Sequence, residues 1–197
     1  MNYLAHATLS FENDEILTGN MISDFVKGNK KMLYPVAIRK GIMLHRMIDE
    51  FTDTHAATKR AKACFKESAG AYAGVFVDVV YDHFLANDPV QFSPGNLEVF
   101  AQQTYFTLNN NISMLPLRFS NMLPYMISQD WLFNYRLPTG IERSFAGLFR
   151  RAKYIEQNDE VFRYFIKHYV LFQKCYNEFF PSVKQYALKV YSEMTRM

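Results

Sequence analysis

The stretch of residues 41–53 repeats apolar side chains at the spacing of one face of an α-helix. Within it, His45 and Asp49 are four residues apart, so a helix places them one turn apart on the same face. An imidazole next to a carboxylate is suited to metal binding or to acid–base catalysis. On its own, such a pair is more often a surface hydrogen bond, so its meaning depends on partners elsewhere in the chain. The apolar members are Ile42, Met43, Leu44, Met47, Ile48 and Phe51.

The rest of the chain predicts an all-α fold. Only eight glycines and seven prolines occur in 197 residues, which favours long helices over many short strands joined by turns. The length favours one domain over residues 1–197. Helical periodicity and capping signals predict a single-domain helical bundle of about eight helices. An aromatic content of 16%, with ten methionines, predicts a large and irregularly filled core or an apolar cleft.

Start and stop signals give approximate helix bounds. Asp53 or Thr54 is the expected cap of the fourth helix, and Thr139 has capping-box spacing to the acid three residues later, Glu142. Pro124 should kink or end its helix, and the last helix should break or bend at Pro181. The predicted helices cover residues 2–9, 13–28 with Asn13 as cap, 35–52, 55–68, 75–86 and 97–108, followed by helices opening at Pro116, at Thr139 and at Asn158.

Net charge and cysteine usage restrict the binding partners and the cellular compartment that we expect for the protein. The formal net charge of +3 is too small to indicate nucleic-acid binding, but it is compatible with an acidic partner or a phosphorylated substrate. Cys64 and Cys175 stand apart and form no disulfide framework, which predicts a reducing cytoplasm. The first residues do not resemble a signal peptide, and no apolar run is long enough for a membrane span.

Histidines and aspartates on four predicted helices supply the ligands that a divalent ion needs. Mixed imidazole and carboxylate ligands suit Mn²⁺, Fe²⁺ or Mg²⁺ better than a structural zinc ion, which favours thiolates. A helix over 75–86, rather than a strand, also puts Asp78 and Asp82 on one face. His55 and His168 lack an acidic partner at helical spacing, so we expect them to be structural or surface residues. The candidate metal residues are His6, Asp24, His45, Asp49, Asp82 and His83.

Basic residues near Asp24 and His45 are candidates for phosphate binding. Arg46 is directly beside His45, and Lys27 closely follows Asp24. For the other cations of this region, a solvated basic surface is at least as good an interpretation; they are Lys30, Lys31, Arg39 and Lys40. A second basic run has no role that spacing can assign, and it contains Arg150, Arg151 and Lys153.

Four blocks, in chain order, resemble the acyl carrier protein phosphodiesterases. They are residues 1–6 (MNYLAH), 17–29 (LTGNMISDFVKGN), 41–53 (GIMLHRMIDEFTD) and 78–85 (DVVYDHFL), with weaker matches at 129–136 and around Arg150. The resemblance implies a divergent, HD-domain-like, all-helical metal-dependent phosphohydrolase, in which the usual adjacent His-Asp pair is reversed to Asp82-His83. It also implies a divalent ion, typically Mn²⁺, with Mg²⁺ or Fe²⁺ as alternatives.

The activity that this resemblance implies is removal of 4′-phosphopantetheine from holo acyl carrier protein, which leaves apo carrier protein. Carried to matching positions, the roles of metal binding or water activation fall on Asp24, His45, Asp49, Asp82 and His83, with His6 as a further member. Arg46 or Lys27 would then stabilise the phosphoryl oxygens. Two alternatives stay open: a phosphohydrolase acting on a small phosphoester or nucleotide, and a non-enzymatic helical module that binds an acidic protein.

Overall fold

A computed structural model describes residues 1–152 and 159–196. These residues form eleven α-helices and no β-strand, which confirms the all-α prediction. There are more than the about eight expected because the short helix Trp131–Asn134 was not predicted and the C-terminal helical region forms two helices, Glu160–Lys167 and Tyr169–Arg196. The helices are α1 (Tyr3–Thr8), α2 (Asp14–Ile22), α3 (Val36–Thr54), α4 (Ala56–Ala69), α5 (Ala73–Ala86), α6 (Asn96–Asn110), α7 (Leu117–Ser128), α8 (Trp131–Asn134), α9 (Pro138–Arg151), α10 (Glu160–Lys167) and α11 (Tyr169–Arg196).

Several of the predicted helix ends are confirmed. The side-chain oxygen of Asn13 accepts a hydrogen bond of 2.9 Å from the backbone N–H of Ile16 and caps α2. Helix α4 ends at Gly70, whose φ of +52° is a left-handed conformation that glycine adopts without strain. The segment for which a strand was also considered is helical as α5, so Asp78 and Asp82 do share a helix.

The region after α2 differs from the prediction. Helix α2 ends at Ile22 and does not continue to Gly28, so Asp24 lies on a short 3₁₀ turn, Ser23–Phe25. The hydroxyl of Ser23 donates a hydrogen bond of 3.2 Å to the carbonyl oxygen of Ile42, which ties this turn to α3. The basic segment 29–34, which separates the predicted helices 13–28 and 35–52, lies largely within a 3₁₀ helix, Gly28–Leu33.

The predicted cap of α4 is wrong. Asp53 lies within the last turns of α3, where its carboxylate pairs with the ammonium of Lys62 at 2.7 Å. The cap is His55, whose Nδ1 accepts a hydrogen bond of 3.2 Å from the backbone N–H of Ala57. His55 is therefore a structural residue, as expected.

In the second half, neither Pro124 nor Pro181 ends its helix, and the predicted cap at Thr139 is not formed. Helix α7 continues through Pro124 because its apolar face is buried against the core, and α11 continues through Pro181 for the same reason. The C-terminal helical region divides at His168 instead. Helix α9 begins at Pro138, so Thr139 lies within its first turn and does not cap it. The predictions for Lys153 and Asn158 fall outside the residues that the structure describes.

A close contact of α2 with α3 sets the geometry on which the site depends. A Cβ atom added to Gly41 would lie 2.3 Å from the carbonyl oxygen of Ile16, and one added to Gly19 would lie 2.0 Å from that of Ile38. The two backbones therefore lie closer together than they could if either glycine were replaced by a residue with a Cβ atom. Among the described residues, no helix is long and apolar enough to cross a membrane.

Candidate metal centre

The close packing of α2 on α3 orients the ring of His45. Its Nδ1 lies 2.7 Å from the backbone carbonyl oxygen of Asn20. A carbonyl oxygen only accepts, so Nδ1 carries the proton, and in the neutral ring the lone pair lies on Nε2. That Nε2 lies 3.0 Å from Oδ2 of Asp49 and 3.4 Å from Oδ1 of Asp24. The predicted pairing of His45 with Asp49 on one helix is thus present, and Asp24 joins it.

His6 reaches the same point from α1, although α1 has only six residues. The carboxylate of Asp82 on α5 accepts hydrogen bonds from the backbone N–H groups of Leu4 and Ala5, at 2.8 and 3.1 Å, and so holds the start of α1. The ring of His6 stacks on that of His45, with centroids 3.8 Å apart and an interplanar angle of 12°. Its Nε2 lies 3.2 Å from Oδ1 of Asp49.

The donor set formed by these residues fits a divalent cation. Ligand atoms of His6, His45 and Asp49 all lie within 4.8 Å of one another. Nε2 of both histidines is buried and has no aligned hydrogen-bond partner among the residues that the structure describes. Buried polar atoms without a partner are costly, and a cation bound between these nitrogens and the carboxylate would satisfy them.

The charges of the cluster depend on one another. Burial, and to a smaller extent the neighbouring His45, lower the pKa of His6 to about 4. Burial opposes the charged form of His45 too, but the carboxylates of Asp24 and Asp49 outweigh it and raise its pKa to about 9. Without a cation, the cluster therefore holds a proton on His45 at neutral pH, and a bound cation would replace that proton.

Met1 and Asp78 extend the cluster on the side of α5. The amino group of Met1 lies 3.2 Å from a carboxylate oxygen of Asp49 and 3.2 Å from one of Asp78. Burial opposes the charge on this amino group, but the two carboxylates outweigh it and raise its pKa to about 11. Burial opposes the charge on Asp49 as well, yet Met1 and the two histidines hold the pKa of that carboxyl well below its usual range.

The structure does not bring Asp82 and His83 into the cluster. Both carboxylate oxygens of Asp82 accept the backbone bonds of α1, and burial, only partly offset by these bonds, raises its pKa to about 8. Nδ1 of His83 lies 2.7 Å from the carbonyl oxygen of Tyr135, and Nε2 lies 2.9 Å from the hydroxyl of Tyr169. The group of mutually close ligand atoms contains His6, His45 and Asp49 but neither of these residues, so both are outside the proposed ligand set.

A groove of about 780 Å³ opens beside the cluster, and Asp24 belongs to both. Its apolar wall includes Tyr3, Phe25 and Trp131, which come from three different parts of the chain. Asp24 and Asp78 are the acidic residues that line it. The cations that line it are Lys27, Arg118, Arg143, Arg150 and Arg151. The groove therefore combines apolar walls with an excess of positive charge, as a long anionic substrate requires.

The predicted phosphate-binding residues have different positions. Lys27 is exposed and lines the groove. Arg46 is half-buried and does not line it; its guanidinium donates a hydrogen bond of 2.8 Å to the carbonyl oxygen of Val26. Arg151, to which spacing assigned no role, lines the groove close enough to Tyr3 to oppose the rise in the pKa of that phenol, which burial raises to about 12. Only tertiary packing brings Arg151 to this place.

The fold and this cluster define an all-α protein with a site suited to a divalent metal. The model of the family described as acyl carrier protein phosphodiesterase matches residues 1–183, and this chain belongs to that family of phosphodiester hydrolases. No solved structure matches the chain.

Curated relatives agree with this assignment. A protein of Klebsiella pneumoniae named acyl carrier protein phosphodiesterase is 33% identical over 188 residues, which is 95% of this chain and 97% of the relative. Proteins of the same name from Enterobacter sp. and Serratia proteamaculans are each 32% identical, over 182 and 188 residues. The Enterobacter alignment covers 92% of this chain and 94% of the relative, and the Serratia alignment covers 95% and 97%.

Proposed function

We propose that the chain hydrolyses the phosphodiester that joins 4′-phosphopantetheine to a serine of holo acyl carrier protein. The products are apo carrier protein and free 4′-phosphopantetheine. The observation that carries the proposal is the group of His6, His45 and Asp49 beside a groove lined by cations, in a chain of this family. The groove combines apolar and cationic linings, which suit the long arm and the phosphate of such a substrate.

We propose His6, His45 and Asp49 as the metal-holding residues, with Asp24 beside them. The ligand set of two imidazoles and one or two carboxylates suits Mn²⁺, with Mg²⁺ and Fe²⁺ as alternatives, and it lacks the thiolates of a structural zinc site. A divalent ion bound there would polarise the phosphoryl group and make water a better nucleophile at neutral pH.

The side chains of the chain supply the rest of the reaction. Asp24, whose carboxylate is 70% exposed, borders both the cluster and the groove and is placed to accept the proton of the attacking water. Water forms a new bond to phosphorus, the bond from phosphorus to the serine oxygen breaks, and that oxygen takes a proton from water. Lys27 and Arg151 neutralise the phosphoryl oxygens from the groove.

Arg46 has a different role in this proposal. Its hydrogen bond to the carbonyl oxygen of Val26 fixes the chain just after the turn that carries Asp24. It therefore acts as a positioning residue for Asp24 and does not contact the phosphate. The HD-like ancestry and the cytoplasmic location inferred above stay predictions.

Intact-mass analysis of holo carrier protein tests the proposal. The protein, stripped with a chelator and then supplied with Mn²⁺, should remove the phosphopantetheinyl mass and release 4′-phosphopantetheine. The chelated protein should leave the carrier unchanged. Failure to cleave the carrier, together with hydrolysis of a small diester such as bis(p-nitrophenyl) phosphate, would favour the alternative of a small-molecule phosphohydrolase. Failure on both substrates in the presence of bound Mn²⁺ would favour a binding module.

A further inference from the structure

The segment that links the two ends of the metal cluster is strongly basic. Between Asp24 and Asp49 the chain contains no aspartate or glutamate. Six cations lie in the same interval, namely Lys27, Lys30, Lys31, Arg39, Lys40 and Arg46. The positive charge of this segment is therefore uncompensated by any acid within it, which creates a local field attractive to an acidic partner.

Apolar side chains of the same segment are exposed to solvent. Met32, Leu33 and Val36 are 59%, 83% and 57% exposed. The first two lie on the 3₁₀ helix Gly28–Leu33, which has no buried residue at all. A six-residue 3₁₀ helix is unusually long, and this one gains nothing from packing in the core. Exposed apolar residues grouped in this way are typical of a surface that binds a partner.

Contacts join the charged and apolar parts of this surface and connect it to the groove. The guanidinium of Arg39 lies 3.4 Å from the sulfur of Met32. Lys27, one residue before the 3₁₀ helix, lines the groove next to the cluster. A partner bound on this surface would therefore lie at the entrance to the site. We call residues 27–40 the basic-apolar surface.

We propose that the basic-apolar surface binds an acidic surface of the protein substrate that also exposes apolar side chains, while the phosphodiester of that substrate enters the groove. Lys30 and Lys31 attract its carboxylates, and Met32, Leu33 and Val36 contact its apolar side chains. This inference rests on the proposed function, because it takes the carrier protein as the substrate. An anionic membrane has similar chemistry, but the groove beside Lys27 favours a partner that delivers a phosphodiester to the cluster.

Charge reversal on the surface provides the test. In the Mn²⁺-loaded double variant K30E/K31E, we expect kcat/KM for holo carrier protein to fall about tenfold or more at low salt, and the difference to shrink as salt is added. Binding of the carrier, measured by fluorescence anisotropy, should weaken in parallel. Leu33→Ser should weaken binding with little dependence on salt, because it removes apolar contact and not charge.

Matched variants on α11 control for net charge and for surface apolarity. K174E/K189E changes the charge equally, and Leu188→Ser removes an exposed leucine; none of these residues lies on the basic-apolar surface or lines the groove. Both should retain binding and cleavage. Thermal midpoints and Mn²⁺ content equal to those of the unchanged protein would show that the variants are folded.

Several outcomes would overturn the inference. One is a K30E/K31E protein that binds and cleaves the carrier as well as the unchanged protein does, which would leave the proposed function intact. Another is an equal loss in K174E/K189E, and a third is sedimentation with anionic vesicles that needs Lys30 and Lys31 while carrier binding does not. If the unchanged protein binds the carrier through this surface but does not cleave it, the proposed function fails and the inference stands. If it neither binds nor cleaves the carrier, both fail.

Discussion

Nδ1 of His45 lies 2.7 Å from the backbone carbonyl oxygen of Asn20, so helix α2 determines which ring nitrogen of His45 faces the cluster. This contact leaves Nε2 for Asp24, Asp49 or a cation. Since the carbonyl belongs to the main chain, no substitution at Asn20 removes it directly. The orientation of the ring depends instead on the distance between α2 and α3.

Substitution of His45 should abolish metal binding. His45→Gln removes an imidazole of the proposed ligand set, and we expect the Mn²⁺ content after dialysis to fall strongly and carrier cleavage to fall about 100-fold or more. Elemental analysis and the intact-mass assay measure these effects. His83→Gln is the matched control, because the structure places that ring on Tyr135 and Tyr169. His83→Gln should lose some stability but keep its metal. Loss of Mn²⁺ in His83→Gln but not in His45→Gln would instead make His83 the metal ligand.

Stability of the chelated protein should decrease as the pH rises above neutrality. The pKa of His45 is raised from 6.5 to about 9 in the folded state, so the folded protein binds more protons than the unfolded chain between these values. Its stabilising effect is complete below about pH 6.5 and is lost as the pH rises through about 9. From pH 6.5 to 8 we expect His45 to account for a loss of about 1–2 kcal/mol in the free energy of unfolding, beside a further loss from Asp82, whose pKa is about 8.

Urea denaturation in chelator, compared with His45→Gln, measures this effect. The pKa of the Met1 amino group is raised from 8.0 to about 11, so this group changes the stability mainly above the pH range chosen here. The variant should show a flatter pH profile, and an identical slope in both proteins would contradict the assignment. Mn²⁺ should stabilise the unchanged protein more at pH 8 than at pH 6.5, because it competes with the proton on His45.

The contact of α2 with α3 should be sensitive to a single methyl group. The Cβ of Gly41→Ala would lie 2.3 Å from a backbone oxygen that cannot move independently, so the helices must separate. We expect a loss of about 1–3 kcal/mol in the free energy of unfolding and weaker Mn²⁺ binding. Gly74→Ala is the control: its Cβ would meet the flexible side chain of Lys62 at 3.3 Å, and we expect little change. Equal stability of the two variants would refute the account.

Two arginines should differ in their effect on catalysis. Arg151→Ala removes a cation from the groove, and we expect kcat/KM for holo carrier protein to fall about 10- to 100-fold, with little change in stability. Arg46→Ala removes the bond to Val26 and should cost about 1 kcal/mol of stability. If Arg46 only positions Asp24, Arg46→Lys should retain the activity that Arg46→Ala loses. A larger catalytic loss for Arg46→Ala than for Arg151→Ala would instead make Arg46 the phosphate ligand.

Local patterns in the sequence determined much of this protein. Helical periodicity and scarce helix breakers predicted the all-α class, and the cap at Asn13 and the pairing of His45 with Asp49 were readable because each involves residues within one or two turns. The same local rules failed at Asp53, which pairs with Lys62 of the next helix, and at Thr139, because α9 begins one residue earlier, at Pro138.

The tertiary structure alone decided which polar residues meet. Adjacent residues Asp82 and His83 look equivalent to the other candidates in sequence, yet one holds the start of α1 and the other bonds to Tyr135 and Tyr169. Arg151 reaches the groove from a distant helix. Convergence of this kind depends on how helix faces pack across long sequence separations, and periodicity within one helix contains no information about the partner that its face will meet.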